Sequence, residues 1–165
     1  VSLRHPSTAA AAPRVFTALL DLAAAEGLEI PVVGDCMAPC FQDGARLRVR
    51  RASVYWPGDV VVLRAADGRL LAHRVLGLRP WRRALALVTQ GDGCAVPDAP
   101  VALSEVLGRV EGVEPSLRDR ARAAGRFLSL LGRVAARGVA RRILRVPRAP
   151  AAPPGSSSSA PPTAP

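Results

Sequence analysis

Three features of the sequence predict a mainly β domain flanked by two helices. The apolar period changes from helical to strand-like at Leu28. From there to Val113, runs rich in β-branched residues are separated by short turn signals, Pro57-Gly58 and Asp67-Gly68 among them. After residue 115 a basic amphipathic pattern takes over. Strands joined by short turns with no helix between them pair antiparallel, so the expected fold is a mainly β, antiparallel domain.

The N-terminal segment, residues 1–27, divides in two. Residues 1–12, with His5 and the alanine run Ala9 to Ala12, read as a loose lead-in. Pro13 suits a first helical position, and Val15, Leu19, Leu20, Leu22 and Ala23 recur at helical spacing up to Gly27. A short amphipathic helix packed on the core is expected.

Residues 28–115 are the expected β domain. Leu28 to Val33 forms a strand that ends at Gly34. Ala45, Leu47 and Val49 alternate with Arg46, Arg48 and Arg50, which predicts a half-buried strand with a basic outer face. Asp59 to Leu63 reads as a buried strand, and Asp67-Gly68 returns Arg69 to Leu76 antiparallel to it. Arg79-Pro80-Trp81 reads as a turn, Ala84 to Thr89 as a strand and Gly91 to Pro100 as a long loop. Leu107 to Val113 closes the domain, for a total of about six strands.

In residues 116–145, Arg118, Arg122, Arg126, Arg133 and Arg137 fall on one side of a helical wheel. Leu117, Ala121, Leu128, Leu131 and Ala135 fall on the other. Such a helix suits an anionic membrane surface, a packed position with its arginines solvated, or nucleic acid. Residues 146–165, rich in Pro, Ala and Ser, cannot build a core and are expected to be disordered.

Charge is distributed unevenly. All 23 basic residues are arginine, and no lysine is present. Residues 1–115 hold 13 Arg against 12 acidic residues, whereas residues 116–165 hold 10 Arg against Asp119 alone. The basicity therefore belongs to the C-terminal part. Three cysteines form no disulfide framework, which fits a reducing compartment or functional thiols. No apolar run approaches the ~20 residues of a membrane span, and the N-terminus lacks the order of a secretory signal. A cytoplasmic or membrane-peripheral protein is expected.

The candidate chemistry starts at Gly34-Asp35-Cys36-Met37-Ala38-Pro39-Cys40, where a thiol stands on the turn after a strand. A free cysteine is more often a small buried hydrophobe than a nucleophile. His73 shares a strand face with Leu71 and Val75, and a histidine there is commonly a core residue satisfied by a backbone carbonyl. Together, however, a thiol and an imidazole form a nucleophile and its base. A third group must orient the imidazole, and the loop Gly91 to Asp98 offers Asp92 and Asp98.

The ordered set Cys36-Met37-Ala38-Pro39, Pro57-Gly58-Asp59-Val60-Val61, His73-Arg74-Val75, Gly91-Asp92 with Asp98, and Leu107-Gly108-Arg109-Val110 resembles the signal peptidase I and LexA-like peptidase superfamily. The resemblance covers residues 28–113. It implies the coiled antiparallel β-domain of that superfamily, and an extended peptide or precursor protein bound as an added strand. Members with a Ser-Lys dyad are excluded as a template because the chain has no lysine. His-Arg-Val at the base position resembles the endoplasmic-reticulum and archaeal type. Carried over, the resemblance makes Cys36 the nucleophile, His73 the base, Asp98 the orienting acid and Asp92 a second required carboxylate. Gly34, Met37 and Pro39 would border the substrate. The implied reaction is cleavage of a leader or precursor at a small-residue site, with no cofactor.

The chain departs from that pattern in four ways. Cysteine replaces serine at position 36, Cys40 stands where threonine is usual, Gly44-Ala45 replaces a Gly-Asp, and no membrane anchor is seen. Two other readings stay open: a peptide-binding pseudoprotease, and a metal or redox site formed by Cys36, Cys40, His73 and Cys94. DNA is not an expected partner, because the 27 residues before the first strand are too few for a DNA-binding domain.

Overall fold

The computed structural model describes residues 13–143. The N-terminal lead-in with His5 and the tail at 146–165 lie outside the described residues. The elements are α1 (Pro13–Ala25), β1 (Leu28–Pro31), β2 (Arg46–Arg50), β3 (Val60–Arg64), β4 (Leu70–Trp81), β5 (Ala84–Gln90), β6 (Val101–Ala102), a 3-10 turn (Leu103–Glu105), β7 (Val106–Val110) and α2 (Leu117–Ile143). The strands form one antiparallel sheet in the order β1-β2-β7-β3-β4-β5-β6.

Alternation of side chains explains how this sheet carries cores on both faces. In β2, Leu47 and Val49 are buried while Arg46, Arg48 and Arg50 face outward, as their spacing predicts. β3 is central and buried on both sides. Its Val60 and Val62 join a cluster with Phe16, Ala23, Met37 and Leu107, whereas Val61 and Leu63 join Tyr55, Val75, Leu87 and Val106. Register shifts at Val62/Leu63 and at Val75/Gly77 bend the strands, and the sheet is curled.

Sequence periodicity located both helices, gave the buried face of α1 in part and misjudged that of α2. In α1 the buried positions are Phe16 and Ala23, with Leu19 and Leu20 packed beside them, while Val15 and Leu22 are half exposed. In α2 the packed face is Ala123, Phe127 and Leu130, set against Leu76 and Val88 of the sheet. Phe127 lies over Gly77, where an added Cβ would come within 2.7 Å of its ring. The expected apolar face is instead outward, with Leu117 86% and Leu128 66% exposed. The side chain of Arg137 lies outside the described residues. No helix among the described residues is long and apolar enough to cross a membrane.

The turn expected at Arg79-Pro80-Trp81 is part of β4, with Pro80 opposite Leu85. β3 pairs with β4 only over Leu70 to Arg74, so Pro80 lies on an open edge where its missing N–H breaks no ladder. The reversal falls at Arg82-Arg83, with Arg82 in the left-handed region at φ 56°. β6 was not anticipated. β7 lies between β2 and β3, a non-local pairing that sequence order does not reveal.

Backbone closeness makes Gly108 a sharp test of this packing. A Cβ there would stand 2.4 Å from the Arg50 carbonyl oxygen, with no flexible side chain to yield. Gly108→Ala should therefore destabilise by on the order of 3 kcal/mol in urea unfolding. Gly132→Ala, on exposed α2 with open space around it, should stabilise by up to about 1 kcal/mol.

Candidate active site

The turn carrying Cys36 is fixed from below and from the side. Gly34 takes φ 92°, a conformation that favours glycine, and its N–H donates to Asp43 Oδ1 at 2.8 Å. Met37 is fully buried in the main core and anchors the turn. Ala38 N–H donates to the Asp35 carbonyl at 3.0 Å, and Phe41 N–H to the Met37 carbonyl at 3.0 Å. Pro39, just after it, lines a cavity with Cys40, Arg74 and Asp92.

A second segment closes over this turn. Gly93 N–H donates to the Cys36 carbonyl at 3.0 Å, tying the 91–98 loop to the Cys36 backbone. Gly91 permits the close approach. A Cβ there would stand 2.7 Å from the Cys36 carbonyl oxygen, 2.8 Å from Cys94 Sγ and 3.1 Å from His73 Nε2. Those three groups therefore converge on one point.

His73 is 5% exposed on β4, opposite Val61. Its Nδ1 lies 2.5 Å from Asp98 Oδ2, and the same oxygen accepts from Thr89 Oγ1 at 2.7 Å. Asp98 N–H also donates to the Thr89 carbonyl at 2.8 Å, so Thr89 grips the aspartate twice. A carboxylate at Nδ1 places a proton there and leaves Nε2 as the lone-pair nitrogen. Thr89 was not singled out from sequence. Its position on the His73 side of β5, two residues before the loop, was the available signal.

Asp92 goes elsewhere. Arg74, the next residue on β4, points to the opposite face and takes Asp92 in a two-point clasp, Nε to Oδ1 at 2.8 Å and Nη2 to Oδ2 at 2.6 Å. Its Nη1 also donates to the Gly58 carbonyl at 2.8 Å. The hydrogen bonds to Asp92 raise the arginine's already high pKa, so it stays charged. Asp98 is thus the loop carboxylate at the imidazole, and Asp92 clamps the loop from behind.

The Cys36 sulfur is half-buried, and its hydrogen-bond acceptor is the Ala72 carbonyl, at 4.0 Å. Burial pushes this thiol up from its ordinary pKa. Cys94, Asp98 and Asp35 add to the rise, and a backbone hydrogen bond partly offsets it. Cys40 is exposed on the Arg74 side, with Arg74 Nη2 3.8 Å from its sulfur. The cysteines therefore do not gather around His73 as a four-ligand set. Among the described residues no group of three or more His, Cys, Asp or Glu could hold a metal.

Beside the thiol lies an apolar cavity of ≈ 40 Å³, lined by Ile30 and Val32 on one side and Leu70 and Ala72 on the other. β1 pairs only with β2, and β4 pairs with β5 only from Arg74 onward. Two strand edges without partners among the described residues thus border a small apolar hole next to Cys36. Such edges accept an extended peptide through main-chain hydrogen bonds. Compared with models of known protein families and with curated proteins, the chain matches none.

The raised pKa gives a signed expectation for reactivity. With Cys40 and Cys94 replaced by serine, iodoacetamide should modify Cys36 more slowly than free cysteine at pH 7, because less thiolate is present. The rate should climb with an inflection above that of an ordinary thiol, read by mass spectrometry across pH 6–11.

Proposed function

We propose that the protein is an endopeptidase of the signal peptidase I and LexA-like superfamily, histidine type, working through Cys36, His73 and Asp98. The carrying observation is the buried imidazole, held through Nδ1 by a carboxylate that Thr89 also holds, with Nε2 and the Cys36 carbonyl both close to Gly91. The curled antiparallel sheet supports the coiled β-domain expected of that superfamily. The ordered motif blocks supply the resemblance, and the two open strand edges supply a place for the substrate.

In the proposed reaction an extended peptide pairs along those edges and sets a small side chain in the apolar cavity. Cys36 sulfur attacks the carbonyl carbon while its proton passes to His73 Nε2. The carbonyl π pair becomes an oxyanion held by backbone N–H groups around Cys36. Collapse breaks the C–N bond, the amine leaves with the proton from the imidazolium, and a thioester remains. Water then adds with His73 as base, and the thiol and a carboxylic acid are released. Asp98 keeps the imidazole in the tautomer that can accept at Nε2. The volume of the cavity, ≈ 40 Å³, supports a preference for alanine-sized residues in a leader or precursor. The exposed leucine face of α2, with Arg118 beside it, supports peripheral contact with an anionic membrane surface.

A second reading, a peptide binder without catalysis, is favoured by one observation. The resting sulfur is directed at the Ala72 carbonyl, and burial keeps it protonated. Cleavage of extended peptides bearing small residues, followed by mass spectrometry, separates the two. Wild type should cleave, and Cys36→Ala and His73→Ala should lose about 100-fold or more in kcat/KM. Equal cleavage by Cys36→Ala would sink the peptidase reading. Binding by wild type and Cys36→Ala, with cleavage by neither, would establish the binder.

A further inference from the structure

The arginines of α2 do not simply face solvent. Arg122 and Arg126 line a cavity of ≈ 420 Å³ with Pro39, Cys40, Arg74 and Asp92. Arg126 and Arg133 line a second, of ≈ 430 Å³, with Gln90, Cys94, Pro97 and Ser129. Arg126 borders both, so the two lie side by side as a basic groove between α2 and the 90–97 loop. At one end the groove meets the residues that follow Cys36, and in its second half it meets Cys94, whose sulfur lies near His73 Nε2 across Gly91.

The charge of this groove is set by what its few carboxylates already do. Four arginines line it against two aspartates, Asp92 and Asp119. Asp92 is clasped by Arg74 through both oxygens. Asp119 accepts from the Ser116 hydroxyl at 2.7 Å and N–H at 3.1 Å, and lies 3.4 Å from Arg122. Among the described residues, neither Arg126 nor Arg133 has a carboxylate within ion-pair distance. Two uncompensated guanidinium groups thus flank a groove that passes behind the Cys36 turn and comes near the candidate active site at Cys94.

We propose that this groove binds an acidic segment of an extended polypeptide, on the same chain as the small-residue site presented to Cys36. The inference rests on the peptidase reading for what lies at Cys36, but its own observable is charge-dependent binding. Seven residues of helix separate Arg126 and Arg133, a rise of ~10 Å. Three residues of extended chain cover about the same distance. Two acidic residues three positions apart therefore match the two arginines.

The test uses the full-length chain and two labelled extended peptides, both with the same small-residue core. One carries Asp at two positions three apart in its flank, the other Asn. Fluorescence anisotropy with Cys36→Ala, which removes the nucleophile, should show the Asp peptide binding about fivefold tighter or more, and the advantage should shrink in high salt. Adding Arg126→Gln and Arg133→Gln should erase the difference. Arg46→Gln with Arg83→Gln, on exposed sites away from the groove, should leave it intact. Equal binding of both peptides would overturn the proposal, as would binding of neither. An arginine effect confined to vesicles of anionic lipid would overturn it in favour of a membrane surface. Charge-dependent binding with no cleavage by wild type would retain the groove and remove the peptidase reading. Cleavage of both peptides with the same KM would do the reverse.

Discussion

Alternation along β4 is the constraint on which the candidate site depends. His73 and Arg74 are neighbours in a strand, so their side chains leave opposite faces, and each takes one carboxylate of the same loop. Asp98 is drawn to the imidazole on one face and Asp92 to the guanidinium on the other. The loop is thereby gripped from both sides, and its Gly93 N–H is aligned on the Cys36 carbonyl. Neither grip is an ordinary surface ion pair. The Arg74 and Asp92 side chains are 13% and 19% exposed, and the clasp is charge-assisted at two points. Removing one partner would strand a largely desolvated charge, a much larger penalty than loss of an exposed pair.

The same logic explains a motif that sequence alone left without a job. Asp59, of Gly58-Asp59, is 1% exposed and lies far along the chain from any other block of the site. One of its oxygens accepts from Trp56 N–H at 2.9 Å, and it lies 3.9 Å from Arg109 and 3.5 Å from Arg120. It therefore joins the start of β3 to β7 and to the first turns of α2. Arg120 also donates to the Pro57 carbonyl, at 3.2 Å. Gly58, whose carbonyl holds Arg74, belongs to the same turn. An acidic residue that reads as chemistry in a list of motifs serves here to set the helix on the sheet. Through Arg74 it also bears on the loop that carries Asp98.

What was legible in the sequence follows from how local each signal is. Alternation at Leu47 and Val49, the Asp67-Gly68 hairpin and the His73 face are properties of single strands, and each was readable. The face of α2 was not. Apolar residues occur on most of its circumference, so a wheel separates arginines from leucines without identifying the stripe that docks. Gly77 decides this: its missing side chain makes room for Phe127, and that contact selects Ala123 and Leu130 with it. The insertion of β7 between β2 and β3 was likewise beyond reach, being a non-local pairing. Within the site, Cys36, His73 and Asp98 were all named from sequence. The resemblance put Asp98 at the imidazole and left Asp92 without a partner; that Arg74 holds Asp92 required knowing which β4 neighbour it would meet.

The remaining question is why a thiol should stand where the resemblance calls for a hydroxyl. Familiar cysteine nucleophiles owe their reactivity to a lowered pKa, gained from a helix terminus or a cationic partner. Cys36 has the opposite surroundings: an apolar cavity on one side and, near it, groups whose negative charge raises its pKa further. A standing thiolate at Cys36 is therefore disfavoured. On the proposed reading the proton must leave as the carbonyl is attacked, which is the serine mode of activation applied to sulfur. That mode suits the architecture, since Asp98, itself held by Thr89, fixes the ring's orientation and tautomer and leaves Nε2 as the accepting nitrogen. It also gives the bound substrate a part in activation: only when a peptide occupies the strand edges does the sulfur gain an electrophile, and only then does its proton have reason to move to Nε2.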